Sequence, residues 1–227
     1  MKMYKKVMAA ALAGAMTVSM SVTAFAADDD GYILKATNED SKSSDNDLVI
    51  AIEGSVSSMD PANIPDTNAI SATRGVYETL VSFDENQKLT GKLAESWEVS
   101  DDSLTYTFKL RKGVKFQDGT DFNAAAVKAN YDRVVNKDNN LRQRRTFIVT
   151  NEDGSETPRV DSIETPDDYT LVIKLTQAWA PFINRLTQFC IISPAALEEY
   201  GNDIMNHPCG TGPYVCQELI SLVLALI

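Results

Sequence analysis

The residues best equipped for chemistry gather late in the chain: His207, Cys209 and Cys216, with Cys190 upstream. Imidazole and thiolates ligate zinc, and an imidazole beside a thiol makes a nucleophile pair. The spacing His-x-Cys-x6-Cys matches no common closed zinc pattern, and Cys190 stands far off in sequence. Cys209 lies within Pro208-Cys209-Gly210-Thr211-Gly212-Pro213-Tyr214, where it reads as a small apolar residue in a turn. Gly210-Thr211-Gly212 looks like part of a phosphate loop, but no Lys-Ser/Thr pair follows and Pro213 lacks the N–H a phosphate needs. A secreted cell-envelope hydrolase, the alternative function, needs a nucleophile, a base and an orienting group. One histidine, set beside a proline, is a thin inventory for that. The sequence therefore predicts no catalytic residue, no metal ligand and no cofactor. Arg142, Arg144 and Arg145 form a basic patch that reads as solvated surface. Trp97 and Trp179 could stack on a ligand, although Trp97, at the entry to a strand, reads as core.

Composition and the first residues set the compartment. Lys2, Lys5 and Lys6 precede an uncharged stretch from Val7 to Thr23, and Ala24-Phe25-Ala26 offers small residues where a signal peptidase reads. Residues 1–26 are therefore expected to be a signal peptide, cleaved after Ala26. A spanning helix needs about 20 strongly apolar residues, whereas this stretch is diluted by Ala, Gly, Ser and Thr and followed by Asp28-Asp29-Asp30. Ala15 stands where a lipoprotein leader would carry the acylated cysteine, so the expected product is unlipidated and extracytoplasmic, either periplasmic or secreted. Loss of the three leader lysines takes the formal charge from −11 to −14. Such a surface repels nucleic acid and anionic headgroups, which argues against both as main partners. Three cysteines, an odd number, make no disulfide framework.

The elements that must position these residues follow from hydrophobic period. Residues 27–47 are polar and read as a flexible leader. Leu48-Val49-Ile50-Ala51-Ile52 reads as a strand covered on both faces, broken at Ser58-Met59-Asp60-Pro61. The spacing of Ile70, Ala72, Val76, Tyr77 and Leu80 predicts a helix over 69–80. The period then becomes two, placing Leu104, Tyr106, Phe108 and Leu110 on one face of a strand. Lys112-Gly113 is expected to turn it into a short second strand, Val114-Lys115-Phe116, ending at Asp118-Gly119. Asn123 is expected to cap a helix whose buried stripe is Val127, Tyr131 and Val134. The polar stretch 136–159 reads as a surface excursion. Leu171, Ile173 and Leu175 share one face of a strand over 169–175, and Pro181 and Ser193-Pro194 each open a helical stretch. The fold class is α/β, with a mostly antiparallel section inserted into a sheet-and-helix section.

Five segments together resemble the peptide-type, family 5 solute-binding proteins of ABC transporters, which include dipeptide, oligopeptide and nickel binders. They are Ser58-Met59-Asp60-Pro61-Ala62, Val76-Tyr77-Glu78-Thr79-Leu80-Val81, Leu93-Ala94-Glu95-Ser96-Trp97-Glu98, the long run from Tyr106 to Thr120, and Pro208 to Tyr214. The resemblance implies a periplasmic-binding-protein-like first lobe, a mixed sheet flanked by helices. Its core is expected from 48–79 and 187–214, and its inserted, largely antiparallel subdomain from 80–186. It also implies capture of a peptide or similar small solute and delivery to membrane permease subunits. The loop after the Asp-Pro turn contributes ligand contacts in this family, and Pro65-Asp66-Thr67-Asn68 occupy it here. Asp66 reads as a helix cap, which leaves Thr67 and Asn68 as candidate ligand-binding residues.

The chain departs from the family pattern in places. Gln117 stands where the family often has His, and Asp121-Phe122-Asn123 where it often has Pro-Phe-Thr. Residues 215–227 end in an apolar run without family pattern, read as a truncated or aberrant tail, so the second lobe is expected to be absent.

Overall fold

Apolar and polar residues alternate along Thr105–Leu110 and Thr170–Leu175, and these two strands form the middle of the main sheet. The computed structural model describes residues 56–64 and 66–216. The signal peptide, the leader, the strand expected at 48–52, Pro65 and the tail from 217 onward lie outside the described residues.

Helix α1 (Thr67–Thr73) comes first, followed by strands β1 (Val81–Phe83), β2 (Leu89–Gly91), β3 (Ala94–Val99) and β4 (Thr105–Leu110). Helices α2 (Ala124–Val135) and α3 (Arg144–Phe147) lead into β5 (Ile148–Thr150), β6 (Glu156–Pro158), β7 (Val160–Asp167) and β8 (Thr170–Leu175). Helices α4 (Phe182–Arg185) and α5 (Pro194–Tyr200) follow. The main sheet has the order β3-β4-β8-β7, while β1-β2 and β5-β6 are separate two-stranded pairs. All named pairings among the described residues are antiparallel. The α/β class is as expected.

Within the sheet, Tyr106, Phe108 and Leu110 of β4 and Leu171, Ile173 and Leu175 of β8 are buried, as their period of two requires. They join a single hydrophobic core that runs from Met59 to Cys209. Asn123 caps α2, its Oδ1 accepting from Ala126 N at 2.9 Å. Ser193 caps α5, with Pro194 in its first turn.

Three expectations need correction. The helix expected over 69–80 stops at Thr73, whose hydroxyl donates back to Ala69 O and Ile70 O at 2.9 and 3.0 Å. Val76, Tyr77 and Leu80 are buried all the same, from a turn and an extended run that bridges Thr79 to Cys190. The carbonyls of Gly75 and Val76 accept from Tyr214 N and Gly212 N at 3.1 and 2.8 Å, and this pairing takes the place of further helix. The strand expected at 114–116 is a single bridge, Lys115 to Asp121, because Gly113 and Gly119 both turn at positive φ. The stretch 136–159 is anchored, not merely superficial. Leu141 and Phe147 are buried, and Phe147 packs edge-on to Tyr131 and Phe189 with centroids 5.2 and 5.3 Å apart.

Strand β7 escaped the periodicity reading. It contains Pro166, which sits where the register slips between Glu164 and Asp167 on an edge strand. At an edge the missing N–H removes no outward ladder bond. Asp60 and Arg133 form a largely buried two-bond ion pair, with Nη1 to Oδ1 at 3.2 Å and Nη2 to Oδ2 at 2.6 Å. It ties the Ser58-Met59-Asp60-Pro61 turn to α2.

Candidate functional site

Three segments distant in sequence meet beside the end of α1: the turn at Gly75–Tyr77, the turn at Phe116–Thr120, and a strap from Gly210 to Tyr214. Glycine is required where the strap crosses. A Cβ on Gly210 would lie 2.2 Å from Val76 O, and one on Gly212 would lie 2.4 Å from Gly75 O. The Gly-Thr-Gly sequence is thus a close backbone contact and not a phosphate loop.

Polar side chains hold the strap down. Gln117 Nε2 donates to Val76 O, Gly212 O and Tyr214 O at 3.2, 3.0 and 2.6 Å, while its Oε1 accepts from Gly210 N at 3.1 Å. The Thr211 hydroxyl donates to Glu78 Oε2 at 2.9 Å, and Lys92 Nζ stands 3.6 Å from Glu78 Oε1. The buried Ser193 hydroxyl donates to Asp118 Oδ2, and Thr120 Oγ1 donates to Asp118 Oδ1 at 2.6 Å. Burial opposes ionisation of Asp118, but the bonds from Ser193 and Thr120 outweigh it and hold its carboxyl below the usual range.

Helix α1 presents the two candidate ligand residues. Asp66 caps it as expected, Oδ1 accepting from Ala69 N at 2.9 Å and Oδ2 from Ser57 Oγ at 2.7 Å. Those two bonds hold the Asp66 carboxyl below its ordinary value. Thr67 is exposed and Asn68 half-buried, both in the first turn. Thr67, Ile70 and Ser71 share an exposed face of α1. Just beyond the helix, the half-exposed Tyr214 ring lies on Gly75, where a Cβ would stand 3.3 Å from Tyr214 Cδ2.

The residues that first suggested catalysis are dispersed. His207 stacks on Tyr200, with centroids 4.1 Å apart, and its Nε2 stands 3.4 Å from Asp203. Burial pushes the Cys190 thiol up to about 12, against the lowering charges of Lys92 and Arg74, and burial also raises Cys209 and Cys216. All three thiols are free, and such thiols stay protonated and unreactive near neutrality. Among the described residues no group of three or more His, Cys, Asp or Glu could hold a metal ion.

Other expectations are refined by the packing. Arg144 is not simply solvated, since it donates two bonds to Glu156 at 2.6 and 2.9 Å and one to Val135 O. Arg142 and Arg145 are exposed. The Arg159 guanidinium lies 4.1 Å from the Trp179 ring centroid, so that face is already occupied. Trp97 lies in β3, partly exposed and packed against the core. A shallow cavity of about 290 Å³ is lined by Arg133 of α2 and by Leu197 and Glu198 of α5, elements other than α1 and the strap. Arg133 is already committed to Asp60 there. The role of Gln117 was missed in the sequence, where its only signal was an amide in the position before an Asp-Gly turn.

Comparison with known proteins adds a second line of observation. Residues 88–221 match the family model described as bacterial extracellular solute-binding proteins, family 5 middle. The chain is 44% identical over 170 residues to the glutathione-binding protein GsiB of Salmonella choleraesuis, covering 74% of this chain and 31% of that protein. Among solved structures it resembles the periplasmic binding protein DppA of Helicobacter pylori, in complex with the peptide STSA. That match has 32% identity and a TM-score of 0.57, over 71% of this chain and 34% of the other. It also resembles the Escherichia coli murein tripeptide binding protein MppA at 26% identity and a TM-score of 0.64, over 74% and 35% of the two chains. The chain thus spans about a third of the length of the relatives it matches.

Proposed function

The chain belongs to the family 5 bacterial extracellular solute-binding proteins, and from that premise we propose that it is part of the substrate-binding component of an ABC importer. It captures a peptide or similar small solute outside the membrane and presents it to permease subunits. The observation that carries this reading is the 44% identity with a glutathione-binding protein over 170 residues. On this reading the chain is a first lobe, its core drawn from 48–79 and 187–214 with a subdomain inserted at 80–186. One continuous core unites the two parts, so the division is one of connectivity. The signal peptide ends at Ala26, and the product works outside the cytoplasm. Among the described residues no helix is long and apolar enough to cross a membrane.

In this reading the ligand side is α1 and the strap. Thr67 and Asn68 offer hydroxyl and amide groups, and the half-exposed Ile70 and Tyr214 offer apolar surface. A solute enclosed between two lobes touches each with only part of its surface, so a single lobe holds it more weakly than the closed pair.

Calorimetric titration of the 227-residue chain with glutathione and with peptides of two to five residues tests this. The expected result is saturable binding at about millimolar strength, with the ligand recovered intact by mass spectrometry. Micromolar binding would place the whole site in this chain and end the two-lobe account. Conversion of the ligand to products would replace binding by catalysis.

A further inference from the structure

We propose that Gln117 is a latch: its carboxamide, bonded to Gly210, Gly212 and Tyr214, sets the position of the Gly210–Tyr214 strap on the end of α1. Its bearing on the ligand rests on the solute-binding reading, but the latch itself does not.

The geometry is unusually complete for one side chain. The Nε2 group has two hydrogens and faces three carbonyl oxygens, on Val76, Gly212 and Tyr214. One hydrogen is therefore shared. The Oε1 atom accepts from Gly210 N, and the backbone N–H of Gln117 donates to Gly210 O at 2.9 Å. The amide orientation is fixed by this set, because flipping it would aim Oε1 at three carbonyls and leave Gly210 N facing a donor. The strap's other side-chain anchor is the Thr211 hydroxyl, which donates to Glu78 Oε2 at 2.9 Å. Pro213 has no N–H, and both glycines carry no side chain with which to anchor themselves. Its two bonds to the α1 side, Gly212 N to Val76 O and Tyr214 N to Gly75 O, depend on where the Gly210–Tyr214 backbone is held.

The site thus demands a neutral group that both accepts and donates. A carboxylate could accept from Gly210 N but would repel the three carbonyls. An imidazole meets the demand only when neutral, since the imidazolium has two donors and no acceptor. Gln holds the latch at any pH.

Amide hydrogen exchange on the full chain reads this directly. In Gln117→Ala, exchange at Gly210, Gly212 and Tyr214, corrected for intrinsic rate, should accelerate about tenfold, the scale set by losing one net hydrogen bond. Amides of β4 and β8 should not change. In Gln117→His, strap protection should be near that of the parent at pH 8 and fall to the Ala level at pH 5.5, below the ordinary imidazole pKa of about 6.5. The parent should be equally protected at both. This pH arm decides the matter even if the Ala variant folds poorly. Unchanged strap exchange in Gln117→Ala, exchange raised equally throughout the sheet, or a His variant indifferent to pH would overturn the proposal. Slackened strap exchange in a chain that binds no peptide would support the latch and count against the solute-binding reading alone.

Discussion

The four-stranded sheet and the strap junction are built by opposite means. In the sheet, side chains decide: β4 and β8 bury one apolar face each, and the backbone ladder follows from the period of two. At the junction, backbone approaches backbone at distances only glycine permits, and amide and carboxylate side chains bind main-chain groups or hydroxyls. The sheet therefore tolerates substitutions that keep volume and polarity. The junction tolerates few, because its interactions are specific in atom and direction.

Substitutions should separate the two. The largest effect is expected in the sheet. Phe108, fully buried in β4, should cost about 4 kcal/mol on replacement by Ala, measured by chemical denaturation, while strap geometry survives in the folded fraction. At the junction, Gly210→Ala should cost about 2 to 3 kcal/mol by overpacking, since its Cβ would meet Val76 O at 2.2 Å and Tyr77 Cδ1 at 2.6 Å. Gly119→Ala is the control. That glycine has φ +85° but open space around it, so only backbone strain of about 1 kcal/mol is expected. Equal costs at Gly210 and Gly119 would show that close approach is not what the strap requires.

The smallest effect is one of pH. The folded Asp118 carboxyl titrates below its ordinary 3.8. A depressed folded value means the stabilisation is present above the unfolded pKa and lost as pH falls through the folded one. Stability of the parent should therefore fall more steeply below about pH 4 than that of Asp118→Asn. Parallel curves would remove the Ser193–Asp118 hydrogen bond from the account.

How much was legible in the sequence follows the same divide. Strands β4 and β8, the Asn123 and Ser193 caps and the Asp66 cap were readable, because period and capping chemistry are local. The junction was not. The helix expected to run to Leu80 was ended by a partner more than a hundred residues away, and no local pattern carries that. Gln117 looked like a neutral departure from a family habit, yet its carboxamide binds the strap at Gly210, Gly212 and Tyr214. Thr67 and Asn68 were named from the family's loop, and their place in the first turn of α1 assigns them no ligand.

Amide chemical shifts of the labelled chain, followed through a titration with glutathione and with a tetrapeptide, test the central claim most directly. A solute-binding lobe with its ligand side at α1 and the strap predicts saturable shifts at Thr67, Asn68, Gly75 and Tyr214, none in β5 and β6, and intact ligand at the end. Shifts confined to the cavity between α2 and α5, or none at all at saturating millimolar ligand, would contradict it.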